Sequence, residues 1–149
     1  MTSITKSVVI NTPLDGIRPY YAHPVHTLQW AQAVYLFEPE EAWPSAGSTA
    51  KMGIKSGGLK IEGVATTVEY DPETMNHHWQ LEPANMDVMD FWYNFDKGDG
   101  QTTVTARVDY TIPGSYLGQI LDKLFVERQN AKDIEDGLSR LKEMAEGAS

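Results

Sequence analysis

Apolar and polar residues alternate at the start of the chain. Over residues 3–11 the alternation has the period of two that is typical of a strand. Thr12 then offers a helix N-cap before Pro13, and the apolar residues that follow recur at spacings of three and four. Pro24 ends this helix, because the residue before a proline is driven out of the α-helical region. The pattern therefore predicts an opening strand followed by two short helices, the second over residues 25–30.

Between residues 33 and 112 the apolar period changes to two, and turn signals rich in glycine, proline and aspartate separate the apolar stretches. Strands joined by such short links pair antiparallel, since a parallel crossover requires about a dozen connecting residues. The pattern therefore predicts a meander. Its six strands cover residues 33–38, 49–56, 59–70, 75–82, 86–96 and 101–112.

A long amphipathic helix is predicted over residues 115–146. This stretch contains no proline, and leucine, isoleucine and alanine recur along it at spacings of three and four. A helix of about 30 residues is roughly 45 Å long, which is enough to cover the apolar face of a sheet. We therefore expect an α+β fold in which a seven-stranded, curved antiparallel sheet wraps around the long C-terminal helix, with two short helices between strands 1 and 2.

Composition and charge narrow the range of partners. The 149 residues are 41% apolar, which suits one domain. They include 12 basic and 21 acidic residues, and the resulting net charge of -9 repels nucleic acids and anionic lipid headgroups. We expect no nucleic-acid partner and no integral membrane contact, since no apolar run approaches the roughly 18 residues of a membrane span. The start of the chain shows no recognisable signal segment, so a cytoplasmic location is expected, and the absence of cysteine excludes disulfides and thiolate chemistry.

Several short motifs accompany this order of elements. They are Ile10-Asn11-Thr12-Pro13 at the end of the first strand, His23-Pro24 followed by Trp30, and Leu141-Lys142 with Glu146 in the last helix. In these motifs and in element order the chain resembles the START-like, helix-grip superfamily (SRPBCC), which includes plant pollen-allergen proteins, polyketide cyclases and coenzyme-Q-binding proteins. The resemblance implies a single START-like domain over residues 1–149.

Four aromatic residues occupy five consecutive positions on one predicted strand. Phe91, Tyr93 and Phe95 share one face, and Trp92 lies on the other. The simpler interpretation is that the three-residue face belongs to the core, since aromatic residues favour strands and bury large areas. The alternative is that this face forms one wall of a cavity. Tyr93 is then of most interest, because a buried phenol needs a hydrogen-bond partner or a ligand.

Two adjacent histidines lie on the preceding predicted strand. His77 shares a face with Trp79, whereas His78 points to the opposite face and is expected at a solvated edge. The two imidazoles therefore cannot bind one metal together, and no other ligand spacing indicates a metal site. We expect no metal and no cofactor. His77 is the better candidate for a polar group inside a cavity or for a general base.

The last helix carries a charge within its apolar stripe. Arg128 interrupts the stripe after Leu121 and Leu124. One interpretation is that the helix rotates slightly and the long side chain reaches solvent at the helix edge. The other is that Arg128 points into the cavity and binds an oxyanion of the ligand. With that second interpretation, the predicted ligand-binding residues are Trp79, Tyr93, Phe91, Phe95, His77, Tyr110, Leu121, Leu124 and Arg128.

Three functions are open at this point. The first is binding of a small hydrophobic or aromatic molecule, such as a lipid, an isoprenoid or a polyketide, in a mostly apolar cavity of roughly a few hundred Å³. The second is a cyclase or dehydratase in which Tyr93, His77 or Arg128 assists, with no residue singled out as catalytic. The third is a protein-interaction module with a collapsed cavity. The oligomeric state is open too, with a homodimer as one option.

Overall fold

The computed structural model of the protein describes residues 1–84, 86–111 and 123–147. Within these ranges the elements follow the predicted order of a strand, short helices, further strands and a long helix. They are β1 (Thr2–Ile10), α1 (Leu14–Tyr21), a 3₁₀ turn (Pro24–His26), α2 (Thr27–Trp30), β2 (Val34–Pro39), β3 (Thr49–Ser56), β4 (Leu59–Tyr70), β5 (His77–Pro83), β6 (Met89–Lys97), β7 (Thr102–Tyr110) and α3 (Lys123–Gly147).

The strands of the described residues form one antiparallel sheet in the order β1-β7-β6-β5-β4-β3-β2. Each connection from β2 to β7 joins neighbouring strands, as expected for a meander. Strand β1 forms one edge of the sheet by pairing with β7, where Thr2 lies opposite Tyr110. The fold class predicted from the sequence is therefore confirmed. Strand β5 begins at His77 rather than at residue 75, because Met75 has a φ of 64° in the left-handed region and interrupts the extended chain.

Helix α1 begins differently from the prediction. Its N-cap is Pro13, and no side chain caps it, whereas the sequence suggested Thr12 in that role. The Thr12 side chain is buried, and its hydroxyl has no hydrogen-bond partner among the described residues. The backbone carbonyl of Thr12 instead accepts a hydrogen bond from the hydroxyl of Thr102 at 3.0 Å. This bond ties the start of α1 to β7.

Helix α3 packs on the inner face of the sheet, and its buried residues show how it is rotated. Val126 lies against the turn between β3 and β4, where Gly57 has a φ of 57°. A side-chain Cβ on Gly57 would lie only 2.7 Å from a methyl group of Val126, so the turn requires glycine for space as well as for its φ. The residues of α3 that are buried are Val126, Gly137, Leu138, Leu141 and Ala145.

Two expectations about the first described turns of α3 are not met. Leu124 is 49% exposed and Arg128 is also exposed, so neither points into the interior as predicted. Each lies two residues from buried Val126 and therefore about 200° around the helix axis from it, whereas Leu138, Leu141 and Ala145 further along the predicted stripe are buried as expected. Arg128 reaches solvent, which agrees with the interpretation that its long side chain lies at the helix edge. Residues 115–122 of the predicted helix lie outside the described residues.

The core is continuous from the sheet to the helices. Ile134 of α3 packs against both groups of buried side chains, one around Trp79 and Leu81 and the other around Ile17 and Phe95.

In the described ranges, no helix combines the length and the apolar character that crossing a membrane requires.

Candidate functional site

Adjoining cavities separate the inner face of the sheet from helices α2 and α3. Three of them, bounded by described residues, have volumes of about 50, 70 and 50 Å³. The first and second share Trp30, Trp79 and Tyr93, and the second and third share Phe91 and Ile134. They therefore form one series of spaces whose walls are mainly aromatic and aliphatic.

Trp79 and Phe91 form the flat part of the wall. The two residues lie directly opposite each other in the register of β5 and β6. Their ring centroids are 4.0 Å apart and the rings are nearly parallel, with an interplanar angle of 6°. Opposed residues of an antiparallel pair bring their Cβ atoms within about 5 Å of each other, which allows two rings to stack. The stack presents an aromatic surface to the second cavity.

Tyr93 provides the polar group in this wall. It lies opposite His77 in the register and lines the first and second cavities. Burial raises the pKa of its phenol to about 12, so the hydroxyl keeps its proton at neutral pH. Among the described residues this hydroxyl has no hydrogen-bond partner, although the ring packs edge-on against Trp30 at a centroid distance of 5.7 Å. The group is therefore able to donate a hydrogen bond to a ligand.

His77 is buried and held on both sides. The hydroxyl of Tyr21 lies 2.8 Å from Nδ1, and the hydroxyl of Thr67 lies 2.9 Å from Nε2. Burial, with a smaller contribution from His78, lowers the pKa of the imidazole from 6.5 to about 3, so the ring is neutral at physiological pH. One nitrogen then donates and the other accepts. Because both nitrogens are engaged, His77 is a structural polar group rather than a general base with a free nitrogen.

Trp43 encloses the first cavity from the loop between β2 and β3. Its ring contacts the imidazole of His77 at 5.5 Å and the ring of Phe37 at 5.7 Å between centroids, both edge-on. Trp43 is nearly buried although it belongs to a loop. Trp30 lines the same cavity, so the indole rings of both residues border it.

Asp133 and Tyr110 border the other end of the series. Both line the third cavity, and Asp133 also lines the second. The amide of Asn130 donates to the Tyr110 hydroxyl at 2.9 Å, and the amide of Gln129 donates to Oδ1 of Asp133 at 3.0 Å. Burial raises the pKa of the half-buried Asp133 carboxyl.

The outer face of the sheet carries a separate aromatic arrangement. His78 stacks on Trp92 with centroids 4.5 Å apart, and its Nε2 lies 2.8 Å from a carboxylate oxygen of Asp90. The guanidinium of Arg107 lies over the Trp92 ring at 4.9 Å from its centroid. His78 is thus half-buried in a stack, whereas the sequence suggested a solvated edge. It points to the opposite face from His77, as expected.

The predicted site residues divide into three groups. Trp79, Phe91, Tyr93, His77 and Tyr110 line the cavities described above. Phe95 is buried in the core, where its ring packs against that of Tyr21 at 4.9 Å. The remaining three lie elsewhere, because Leu124 and Arg128 are on the exposed side of α3 and Leu121 is outside the described residues.

Other lining residues were missed by the sequence reasoning. Tyr21, Trp30, Trp43 and Asp133 all line the cavities, and none of them was predicted to. The apolar spacing of α1 and α2 places Tyr21 and Trp30 on buried faces, which was a usable signal. Trp43 lies in a loop and Asp133 is a charged residue on a helix, so neither position has a local pattern that points inward.

One family model matches the sequence over residues 1–146, that of polyketide cyclase / dehydrase and lipid transport. The match covers nearly the whole chain, so the protein belongs to this family. Its membership agrees with the helix-grip resemblance of the sequence. No curated protein matches the chain.

Solved structures share the fold at low sequence identity. TTHA0849 from Thermus thermophilus is 19% identical, with a TM-score of 0.81 over 99% of each chain. The Zhui aromatase/cyclase from Streptomyces sp. R1128 is 13% identical, with a TM-score of 0.72 over 97% of this chain and 93% of that chain. The di-domain ARO/CYC BexL of the BE-7585A biosynthetic pathway is 16% identical, with a TM-score of 0.74 over 97% of this chain and 50% of that chain. These similarities establish the fold.

Proposed function

We propose that the protein binds a small aromatic molecule in the cavities between the sheet and helices α2 and α3. The family, which covers polyketide cyclases, dehydrases and lipid transport, supports a hydrophobic ligand. The observation that carries the proposal is the common lining of the second cavity by Trp30, Trp79, Phe91 and Tyr93. Such a concave, mostly apolar space with few polar groups is typical of small-molecule sites.

The shape of the lining favours a flat ring over a long alkyl chain. The parallel pair of Trp79 and Phe91 offers an aromatic surface on which a ring can lie with an offset stack. The cavities are small, at about 50 to 70 Å³ each, and an extended lipid would need them to join into one longer space. The Tyr93 hydroxyl can donate to a carbonyl or phenol oxygen of the ligand, which suits a polyketide-like molecule better than a hydrocarbon.

The four tryptophans provide a direct test by NMR. Phenethyl alcohol is titrated into the ¹⁵N-labelled protein, and the indole N–H signals are followed. Trp30, Trp43 and Trp79 line the first cavity, so their signals should shift. Trp92 lies on the outer face of the sheet and serves as an internal control whose signal should stay in place. Shifts that are absent, or confined to Trp92, would rule out the proposed site.

A dehydrating cyclase is the second candidate, and Tyr93 is the observation that favours it. A protonated phenol in an apolar wall can donate to the enolate or alkoxide oxygen that develops when a polyketone closes to a ring. His77 is less suited to remove a proton, because both its nitrogens are already hydrogen-bonded. In this mechanism Tyr93 would be the catalytic acid.

Diacetylacetone tests this second candidate. An intramolecular aldol reaction forms one carbon–carbon bond, and loss of one water then yields orcinol, which mass spectrometry detects. A cyclase should accelerate this closure, and Tyr93→Phe should abolish the acceleration, while the binding of phenethyl alcohol is weakened by no more than the loss of one hydrogen bond. If orcinol forms no faster with the protein than without it, the result counts against the cyclase candidate.

A further inference from the structure

The cavity walls contain one acidic side chain that forms no ion pair with a described residue. Asp133 lies on α3 one turn before Gly137 and is half-buried, with its carboxylate accepting from the amide of Gln129. None of the ion pairs among the described residues includes Asp133. On the same helix, Asp136 is paired with Lys132 at 3.2 Å. Asp133 is therefore a carboxylate at a cavity wall that no described cation contacts directly.

Aromatic rings surround the same space. Trp30, Trp79, Phe91 and Tyr93 line the second cavity together with Asp133. The face of an aromatic ring is electronegative and attracts a cation, most strongly where water is excluded. The aromatic faces and the carboxylate in this cavity thus have the same effect on binding. Both favour a ligand with a positive group and disfavour a ligand with a negative one.

The basic residues near these cavities reduce the preference for a positively charged ligand only weakly. Arg107 touches the second cavity, but its guanidinium lies over Trp92 on the outer face and pairs with Asp109 at 2.8 Å. Lys132 and, more weakly, Lys55 at the border of the third cavity attract Asp133, but both are exposed, so water screens their attraction. The first cavity has no lysine or arginine among its described lining residues.

We infer that the site selects aromatic ligands that carry a protonated amine over those that carry a carboxylate, with the ring between the aromatic walls and the ammonium at Asp133. This inference rests on the proposed binding of an aromatic ligand and adds the charge of that ligand. The half-buried position of Asp133 places the ammonium near solvent and the ring in the interior. This orientation spares the charged group most of its desolvation cost.

Three probes with the same ring and nearly the same length test the inference: phenethylamine, phenethyl alcohol and phenylacetate. Each is titrated at neutral pH, and the affinity is taken from the indole N–H signals of the cavity tryptophans. We expect the amine to bind about fivefold more tightly than the alcohol, from one ion pair and the aromatic faces, and phenylacetate to bind most weakly.

Two matched variants locate the effect. Asp133→Asn keeps the shape of the side chain and removes its charge, so the ratio of the amine affinity to the alcohol affinity should fall to about one. Asp136→Asn removes a neighbouring charge that is already paired with Lys132, and the preference for the amine should persist.

The outcomes separate this inference from the proposed function. If phenylacetate binds as tightly as phenethylamine to the unmodified protein, or if Asp133→Asn retains the preference for the amine, the inference is wrong although aromatic binding stands. If none of the three probes shifts the indole signals, the proposed function fails and the inference fails with it.

Discussion

The hydroxyl of Tyr21 lies 2.8 Å from Nδ1 of His77, so a phenol from α1 is hydrogen-bonded to an imidazole of β5. On the other side of the ring, the hydroxyl of Thr67 from β4 lies 2.9 Å from Nε2. A neutral imidazole has one donor and one acceptor nitrogen, and both are satisfied here. The arrangement lets a polar ring remain inside an otherwise aromatic wall, and it joins the first helix to the middle of the sheet.

Removal of the Tyr21 hydroxyl should destabilise the protein. Tyr21→Phe leaves a buried imidazole nitrogen without a partner, and we expect a loss of about 1 to 3 kcal/mol in the free energy of unfolding. Urea denaturation measures it. Tyr93→Phe is the matched control, because that hydroxyl has no partner among the described residues, and its cost should stay within about 0.5 kcal/mol. Equal losses in the two variants would contradict the assignment of the Tyr21 bond.

The buried imidazole should make stability depend on pH. Above pH 6.5 His77 is neutral in the folded and the unfolded chain. Between pH 6.5 and about 3 the unfolded chain binds a proton that the folded chain does not bind, so stability present at neutral pH is lost on acidification. The slope attributable to His77 is up to about 1.4 kcal/mol per pH unit.

Comparison with two variants isolates this slope from the carboxylates that titrate in the same range. His77→Gln should flatten the dependence of unfolding free energy on pH between about 6.5 and 4.5. His78→Gln, which changes the adjacent residue on the outer face, should leave most of the slope in place. A slope that is the same in His77→Gln and in the unmodified protein would show that the ring is accessible to protons in the fold.

The rotation of α3 can be tested with two leucines. Leu141 is fully buried, so Leu141→Ala should cost about 2 to 5 kcal/mol. Leu124 is 49% exposed, and Leu124→Ala should cost less than half as much, because less of its surface is removed from water. Thermal or urea unfolding gives both values. A larger loss at Leu124 than at Leu141 would contradict the burial of these two side chains in the structure.

Gly63 should not tolerate a side chain. Its backbone lies opposite Pro83, and a Cβ on Gly63 would come within 2.2 Å of the backbone oxygen of Glu82. Gly63→Ala should therefore push β4 and β5 apart and cost about 1 to 3 kcal/mol. Gly147, at the end of α3, has no atom within 4 Å of the same position, so Gly147→Ala is the control that should leave stability nearly unchanged. A neutral Gly63→Ala would show that the two strands can separate locally at no cost.

The period of apolar residues was sufficient to predict the strands and their faces. A strand turns its side chains to alternate sides, so the positions of His77 and Trp79 inside and His78 outside follow from the order of residues alone. Short links between strands require antiparallel neighbours, which determines the meander once the strands are known. The same reasoning placed Phe91 and Tyr93 on one face with Trp79.

The long helix shows where this reasoning stops. Leu138, Leu141 and Ala145 of its apolar stripe are buried, as the period predicts. At the start of the described helix the buried residue is instead Val126, which lies against the turn at Gly57. Leu124 and Arg128 consequently lie outside, and Asp133 lines the cavities instead.

The order of residues by itself thus determined the elements, the faces of the strands and the class of fold, because each depends on a local period and on short connections. Only the tertiary structure decided that Tyr21 meets His77, that Trp43 encloses the first cavity and that Asp133 shares a cavity with Phe91. These contacts join residues far apart in the chain. Their geometry is set by how helices and loops pack on the sheet, and packing depends on the shapes of all the side chains together.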